Sequence, residues 1–342
     1  MKDELEMKYR QVGRSGLKVS EIAIGSWLTY GSTVDDDAAR RCLETAIENG
    51  INFIDTAEIY AHGRAEEVIG AFLRDQTVDR HRLVISSKVF WPMGDDVNSW
   101  GLSRKNITRA IDGTLRRLGL DYIDIYFMHR FDPITPIEET VSVIDDLIHA
   151  GKVLYWGTSV WSAAQIERVN AVAKEMGAQR PIVEQPQYNM LFRHIELEIM
   201  PVVHAHGMGL TVWSPLAQGI LTGKYLDGVP QQSRGARSES IRRQLDDALL
   251  SKLRRLVDIA SSLNITLGQL ALAWILRRPE ISAAIIGATK PEQVAHNVLA
   301  SDVHLSNTTL AEIEDVLDNK PRWPSTYEPN AYQDKMRYVR EF

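Results

Sequence analysis

Short apolar and β-branched blocks alternate along the chain with longer stretches in which apolar positions return every three or four residues. The compact blocks are Glu21–Trp27, Asn52–Asp55, Leu83–Lys88, Tyr122–Met128, Val153–Thr158, Ile182–Gln185, Leu210–Trp213 and Ala283–Ile286. Their brevity, and the Gly or Asn that opens many of them, predict buried strands. The intervening stretches read as amphipathic helices. Asp35–Asn49 sets Ala39, Leu43, Ala46 and Ile47 on one stripe and stops at Gly50, while Arg104–Leu118 starts after Ser103 and stops at Gly119. Ser caps the first turn of a helix, and Gly takes the left-handed conformation that ends one. Strands separated by helices must pair in parallel, because each helix carries the chain back to the starting end of the sheet. Eight such units predict a (β/α)8 barrel of the TIM type, with a doubly wound sheet as the competing arrangement.

Three segments stand outside the repeat. Lys8–Ser20 reads as a hairpin turning near Arg14–Gly16 and is placed to cap the N-terminal end of the barrel. Ser214–Asp246 is a long polar connection, of a length more often functional than accidental. Thr308–Asn319 predicts an additional C-terminal helix, followed by a tail with Pro and Tyr. No shift of composition marks a linker, so one domain is expected over 1–342, with its core at 8–319 and its tail at 320–342.

Composition narrows the function. The 342 residues hold 39 Lys+Arg against 45 Asp+Glu, a net charge of −6, which argues against a nucleic-acid binder. The longest apolar run, Leu270 to Leu276, is far shorter than a membrane span. The opening MKDELEMKYR has no apolar segment, so no secretory signal is expected. One cysteine, Cys42, rules out an intrachain disulfide and fits a cytoplasmic location. Only His129 and Asp55 are convincing strand-end ligands, so no metal is expected. Gly287–Lys290 lacks the spacing of a phosphate-binding P-loop.

In a barrel of parallel strands, the residues at the C-terminal strand ends line the active site. Here those positions hold Asp55, Lys88 and His129, with Tyr60 in the loop after Asp55. Asp55 would hold Lys88 charged, and the ammonium would draw the Tyr60 phenol toward a usable pKa. His129 would donate a hydrogen bond to an oxygen gaining negative charge. Such a group polarises and protonates a carbonyl. It has no electron donor of its own, so the hydride must come from a cofactor, and nicotinamide is the obvious source.

The run GINFIDTAEIYAHGRAEEVIG, with Lys88 in VISSKV and His129 in YFMHRFD, resembles the aldo-keto reductase superfamily. GTSVW, EQPQYNML, VWSPLAQGILTGKY and IIGATKPEQVAHN continue the likeness. AIGSWLTYG and WSPLAQGILTGKY are similar to the branch that includes the voltage-gated potassium channel β subunits. The resemblance covers about residues 8 to 319. It implies a barrel that binds NADP(H) across its C-terminal face and reduces small aldehydes or ketones, with the family tetrad falling on Asp55, Tyr60, Lys88 and His129.

The resemblance further implies that Ser159 and Gln185 hold the nicotinamide carboxamide, that Trp213 stacks on the ring and that Trp27 flanks it. Ser214, Leu216, Gly219 and Lys224 would line the pyrophosphate, and Arg234 would fold over it. Thr289, Gln293 and Asn297 would read the adenosine end, and the helix start at Pro291, with its free N–H groups and the charge of Lys290, is by itself suited to a phosphate on the ribose. Trp91 would line the substrate pocket. The chain departs from the family pattern at Ala61, where many relatives have Gly, and at Val160, where Asn or Arg is usual. It departs again at His296, where Glu is common before the asparagine, and at Gln293, where NADPH-selective relatives often have Arg. The rival reading is a channel-β-like subunit whose nicotinamide occupancy reports redox state. His129 favours the enzyme, since the channel subunits have Asn there. Oligomeric assembly stays open.

Overall fold

The structure, a computed structural model, describes residues 7–75 and 79–322. Two antiparallel strands, β1 (Tyr9–Gln11) and β2 (Lys18–Ser20), form the expected hairpin. Eight parallel strands follow: β3 (Ile22–Gly25), β4 (Phe53–Asp55), β5 (Val84–Val89), β6 (Ile123–Met128), β7 (Val153–Thr158), β8 (Val183–Glu184), β9 (Gly209–Trp213) and β10 (Ile281–Ile286). Each pairs with the next, and β10 pairs back with β3, so the sheet closes. The barrel reading holds over the doubly wound one.

The helices α1 (Asp36–Glu48), α2 (Arg64–Asp75), α3 (Arg104–Leu118), α4 (Ile137–His149), α5 (Ala163–Glu175) and α6 (Ile199–His206) follow β4's predecessor and the next five strands in turn. Asp35 and Ser103 accept hydrogen bonds from Ala38 N and Asn106 N, capping α1 and α3 where the sequence placed their starts. The long connection after β9 is more structured than its polarity suggested. It holds a 3-10 turn at Ala217–Thr222 and the short helices α7 (Arg234–Arg237) and α8 (Glu239–Gln244), anchored by buried Leu221, Tyr225 and Ile241. Helices α9 (Asp247–Ser262), α10 (Leu267–Leu276), α11 (Pro291–Val298) and α12 (Asn307–Leu317) complete the chain. The last is the additional helix read from the sequence, capped by Ser306. The tail read after Asn319 lies, from residue 323 onward, outside the described residues. Among the described residues, no single helix is long and apolar enough to cross a membrane.

Two apolar layers hold this together. Ile22, Ile54, Ile85 and Tyr126 face outward onto the helices, while Ala23, Phe53, Val84, Ile125, Phe127 and Val183 fill the barrel interior. Val12 and Val19 of the hairpin join the interior cluster and stop the N-terminal end. Gly13 is what lets the hairpin sit so close: at φ +58°, a β-carbon there would lie 2.3 Å from the Gly207 carbonyl oxygen. With the N-terminal end plugged, the C-terminal mouth is the end of the barrel that can receive a ligand.

Candidate active site

Side chains alternate across a strand, so the residue two beyond an interior plug residue faces the interior again, one layer nearer the mouth. Phe53 leads to Asp55 on β4, Val84 through Ser86 to Lys88 on β5, and Ile125 through Phe127 to His129 just past β6. Val183 of β8 leads likewise to Gln185. The interior changes from hydrocarbon to ionisable groups because the plug ends there.

Lys88 is fully buried, and its ammonium donates to Asp55 Oδ2 at 2.6 Å and to the Thr56 carbonyl at 2.7 Å. Asp55 Oδ1 accepts from Ser86 Oγ at 2.7 Å and from Gln185 Nε2 at 3.0 Å. Lys88 Nζ lies 4.9 Å from the centre of the Tyr60 ring, and that ring meets His129 edge-on at 5.8 Å. The segment carrying Tyr60 is tied to β5, since Thr56 N donates to Ser86 O and Glu58 N to Lys88 O. It then turns through Ala61 and His62, both left-handed at φ 49° and 50°. Gly takes that conformation without cost, whereas Ala61 and His62 hold it under strain.

Burial sets the protonation states. It pushes His129 well below the usual histidine range, helped by the charges of Lys88 and Arg130, so the imidazole is neutral at neutral pH. Its Nδ1 is buried without a hydrogen-bond partner. Burial also pushes Lys88 down, against the pull of Asp55. Tyr60 goes the opposite way from the sequence expectation. Burial and the Asp55 charge hold its phenol well above the ordinary range, and the cation that draws it down is Arg130 rather than Lys88. Lys88 has two of its protons committed to Asp55 and Thr56, so neither of those hydrogen bonds is directed at the phenol.

The residues expected at the nicotinamide end come together. Ser159 Oγ donates to the Gln185 carbonyl at 2.9 Å. Trp213 ends β9 and meets Trp27 edge-on at 6.4 Å, and the Arg234 guanidinium lies 5.7 Å over the Trp27 ring. Arg234 of the long connection is therefore brought to the mouth. Around the expected pyrophosphate site the backbone is left-handed at Ser214 (φ 52°), Ala217 (47°), Gln218 (57°) and Gly219 (96°). A β-carbon on Gly219 would lie 2.5 Å from Lys224 Nζ, so the glycine leaves room for the ammonium beside a backbone cradle. Leu216 caps the start of this turn. These features fit an extended dinucleotide phosphate.

At the expected adenosine end, Pro291 opens α11 and Lys290 is its exposed N-cap. Gln293 is turned onto its own chain, where Oε1 accepts from Thr289 N at 2.8 Å. Asn297 lies on the same helix, facing Gly268. Trp91 packs edge-on against His129 at 6.3 Å, which places it beside the expected catalytic group. His62 is exposed and Trp161 is buried.

Of the nine non-glycine residues with left-handed backbone among the described residues, seven sit in loops after barrel strands: Leu28, Ala61, His62, Val160, Ser214, Ala217 and Gln218. Strain of this kind concentrates at functional sites. Val160 is the sharpest case, since a β-branched residue rarely takes φ 58°.

Sequence reasoning passed over three charged residues here. Glu58, at 1% exposure, has one carboxylate oxygen without a partner, and burial lifts it to about 7. Glu184 is fully buried and also lifted to about 7 by burial. Arg130 follows His129 and places its guanidinium 5.6 Å over the Trp91 ring. A charged residue inside or just beyond an apolar strand was the available signal for all three.

The sequence matches the model of the Aldo/keto reductase family over residues 21–318. It is 44% identical, over 328 residues, to a protein of Arabidopsis thaliana described as a probable voltage-gated potassium channel subunit beta. That match covers 94% of this chain and 100% of the relative. A rice protein of the same description (Oryza sativa subsp. japonica) matches to the same extent. A putative subunit of this kind in Schizosaccharomyces pombe is 43% identical over 323 residues, covering 92% of this chain and 94% of the relative.

Proposed function

The chain belongs to the aldo/keto reductase family, and from that premise we propose that it is a cytoplasmic, NADP(H)-dependent reductase of aldehydes or ketones. One observation carries the reading. At the C-terminal mouth of the barrel a buried Lys88–Asp55 pair, a protonated Tyr60 and a neutral His129 share one interior surface. When bound, the reduced nicotinamide supplies the hydride that the protein itself lacks.

Ser159 and Gln185 hold the carboxamide, Trp213 and Trp27 bound the ring, and Ser214, Leu216, Gly219, Lys224 and Arg234 receive the phosphates. Thr289, Lys290, Gln293 and Asn297 take the adenosine end. In the reaction the carbonyl carbon gains the hydride, and the carbonyl oxygen gains a proton from the Tyr60 hydroxyl. His129 is neutral, so it stabilises the developing oxyanion as a hydrogen-bond donor and leaves proton delivery to Tyr60. Lys88 and Asp55 fix the phenol from behind and compensate its charge once the proton has left. Trp91 walls the substrate side.

Tyr60→Phe tests this directly. Turnover of a panel of aldehydes, ketones and quinones should fall at least ~100-fold, with NADPH-induced fluorescence quenching retained. Turnover within a few-fold of the unaltered protein would remove Tyr60 from the mechanism. The end-to-end likeness to channel β subunits supports a second reading, in which cofactor occupancy regulates a bound channel. His129 favours the enzyme, because it provides the donor that carbonyl reduction needs.

A further inference from the structure

Most buried or half-buried arginines of this chain are matched to a carboxylate. Arg80 faces Asp124 at 2.6 Å, Arg117 faces Glu66 at 2.6 Å, and Arg193 faces both Glu196 and Glu314. Arg234, at the expected phosphate site, lacks such a match among the described residues, and so does Arg130. The one hydrogen bond of Arg130 runs back to the carbonyl of its neighbour His129, and it forms no ion pair among the described residues. The acidic group nearest in effect is Glu184, whose oxygens already accept from Thr158 Oγ1 and Trp161 N. The guanidinium is only partly exposed, and it lies against Trp91, the same ring that abuts His129. Its charge reaches Tyr60, Lys88 and His129. A partly desolvated guanidinium without a counter-ion, beside the reacting groups, is an incomplete ion pair.

We infer that Arg130 completes its pair with the substrate, and that the preferred substrates are carbonyl compounds carrying a carboxylate a few bonds from the reacting carbonyl. This rests on the reductase reading and names its substrate class. Arg130 then acts as a specificity residue. The planar guanidinium takes the carboxylate, Trp91 covers the apolar spacer, and the carbonyl reaches Tyr60 and His129.

The test uses para-carboxybenzaldehyde and its methyl ester, which differ in charge and little in shape. In the unaltered protein with NADPH, kcat/KM should favour the acid over the ester roughly ten- to hundredfold. In Arg130→Gln the preference should shrink to within about threefold, mainly through KM for the acid, with NADPH affinity unchanged. Arg130→Lys should keep part of it, since it keeps the charge but loses the fork. An acid no better than its ester, or a preference that survives Arg130→Gln, overturns the inference and leaves the reductase reading standing. A parallel loss for acid, ester and NADPH assigns Arg130 to the cofactor and overturns it as well. If neither aldehyde is turned over, the reductase reading fails by itself, and binding of para-toluate followed by tryptophan fluorescence decides the inference. Binding that Arg130→Gln weakens at least tenfold upholds it, and no binding by the unaltered protein overturns it.

Discussion

Glu184→Gln should stabilise the protein at alkaline pH and do little at acid pH. The Glu184 carboxyl is fully enclosed, accepting from Thr158 Oγ1 at 2.5 Å and from Trp161 N at 3.3 Å. Burial outweighs these bonds and lifts its ionisation from 4.5 to about 7. Below pH 4.5 the folded and unfolded chains both hold the proton, so stability is unaffected. Between 4.5 and 7 the folded chain keeps the proton that the unfolded chain has released, and stability falls as pH rises. Above 7 the loss is constant. At about 1.4 kcal/mol per factor of ten, it comes to about 3 kcal/mol at pH 8 and under about 1 kcal/mol at pH 5. Glutamine keeps the shape of the side chain and removes its charge. Its carbonyl accepts from the backbone N–H, and its amide donates to the Thr158 hydroxyl, which reverses its role. The assay is reversible urea unfolding of both proteins from pH 5 to 8.5. Glu58 titrates in the same window but is common to both, so it cancels in the difference. A gain for the variant that is independent of pH, or no gain at pH 8, would refute the assignment of a forced, buried charge to Glu184.

Two further outcomes follow from the geometry. Val160→Asn should raise stability by about 1 kcal/mol, because Asn tolerates the left-handed backbone that strains a β-branched residue; a lower urea midpoint than the unaltered protein would mean that the Val160 side chain contributes more than its strain costs. NADPH should bind more tightly than NADH, with Lys290→Glu narrowing or reversing the difference, since the exposed N-cap of α11 sets a positive charge beside the helix N-terminus; equal dissociation constants for the two cofactors in the unaltered protein would refute this.

Much of the architecture is local in origin and could be read from the chain. The apolar blocks and helical stripes name the strands and helices, and Asp35, Ser103, Gly50 and Gly119 mark helix ends with a side-chain cap or a left-handed glycine. Period-two alternation, counted from interior residues such as Phe53, Val84 and Phe127, carries Asp55, Lys88 and His129 to one mouth. Strand closure and the side-chain period together make that convergence unavoidable, so Asp55, Lys88, His129 and the nearby Tyr60 were legible before any coordinates. What the chain could not disclose were quantities that depend on everything packed around a group. The direction of the Tyr60 shift reversed because desolvation and Asp55 outweigh a lysine already committed to other partners. Polarity hid the short helices of the long connection, whose order comes from a few buried anchors such as Tyr225 and Ile241. Left-handed strain at Val160, the enclosed charge of Glu184 and the unmatched guanidinium of Arg130 likewise arise only once eight strands close. Closure brings groups far apart in sequence into one site of low dielectric, and ionisation there is set by the whole enclosure rather than by sequence neighbours.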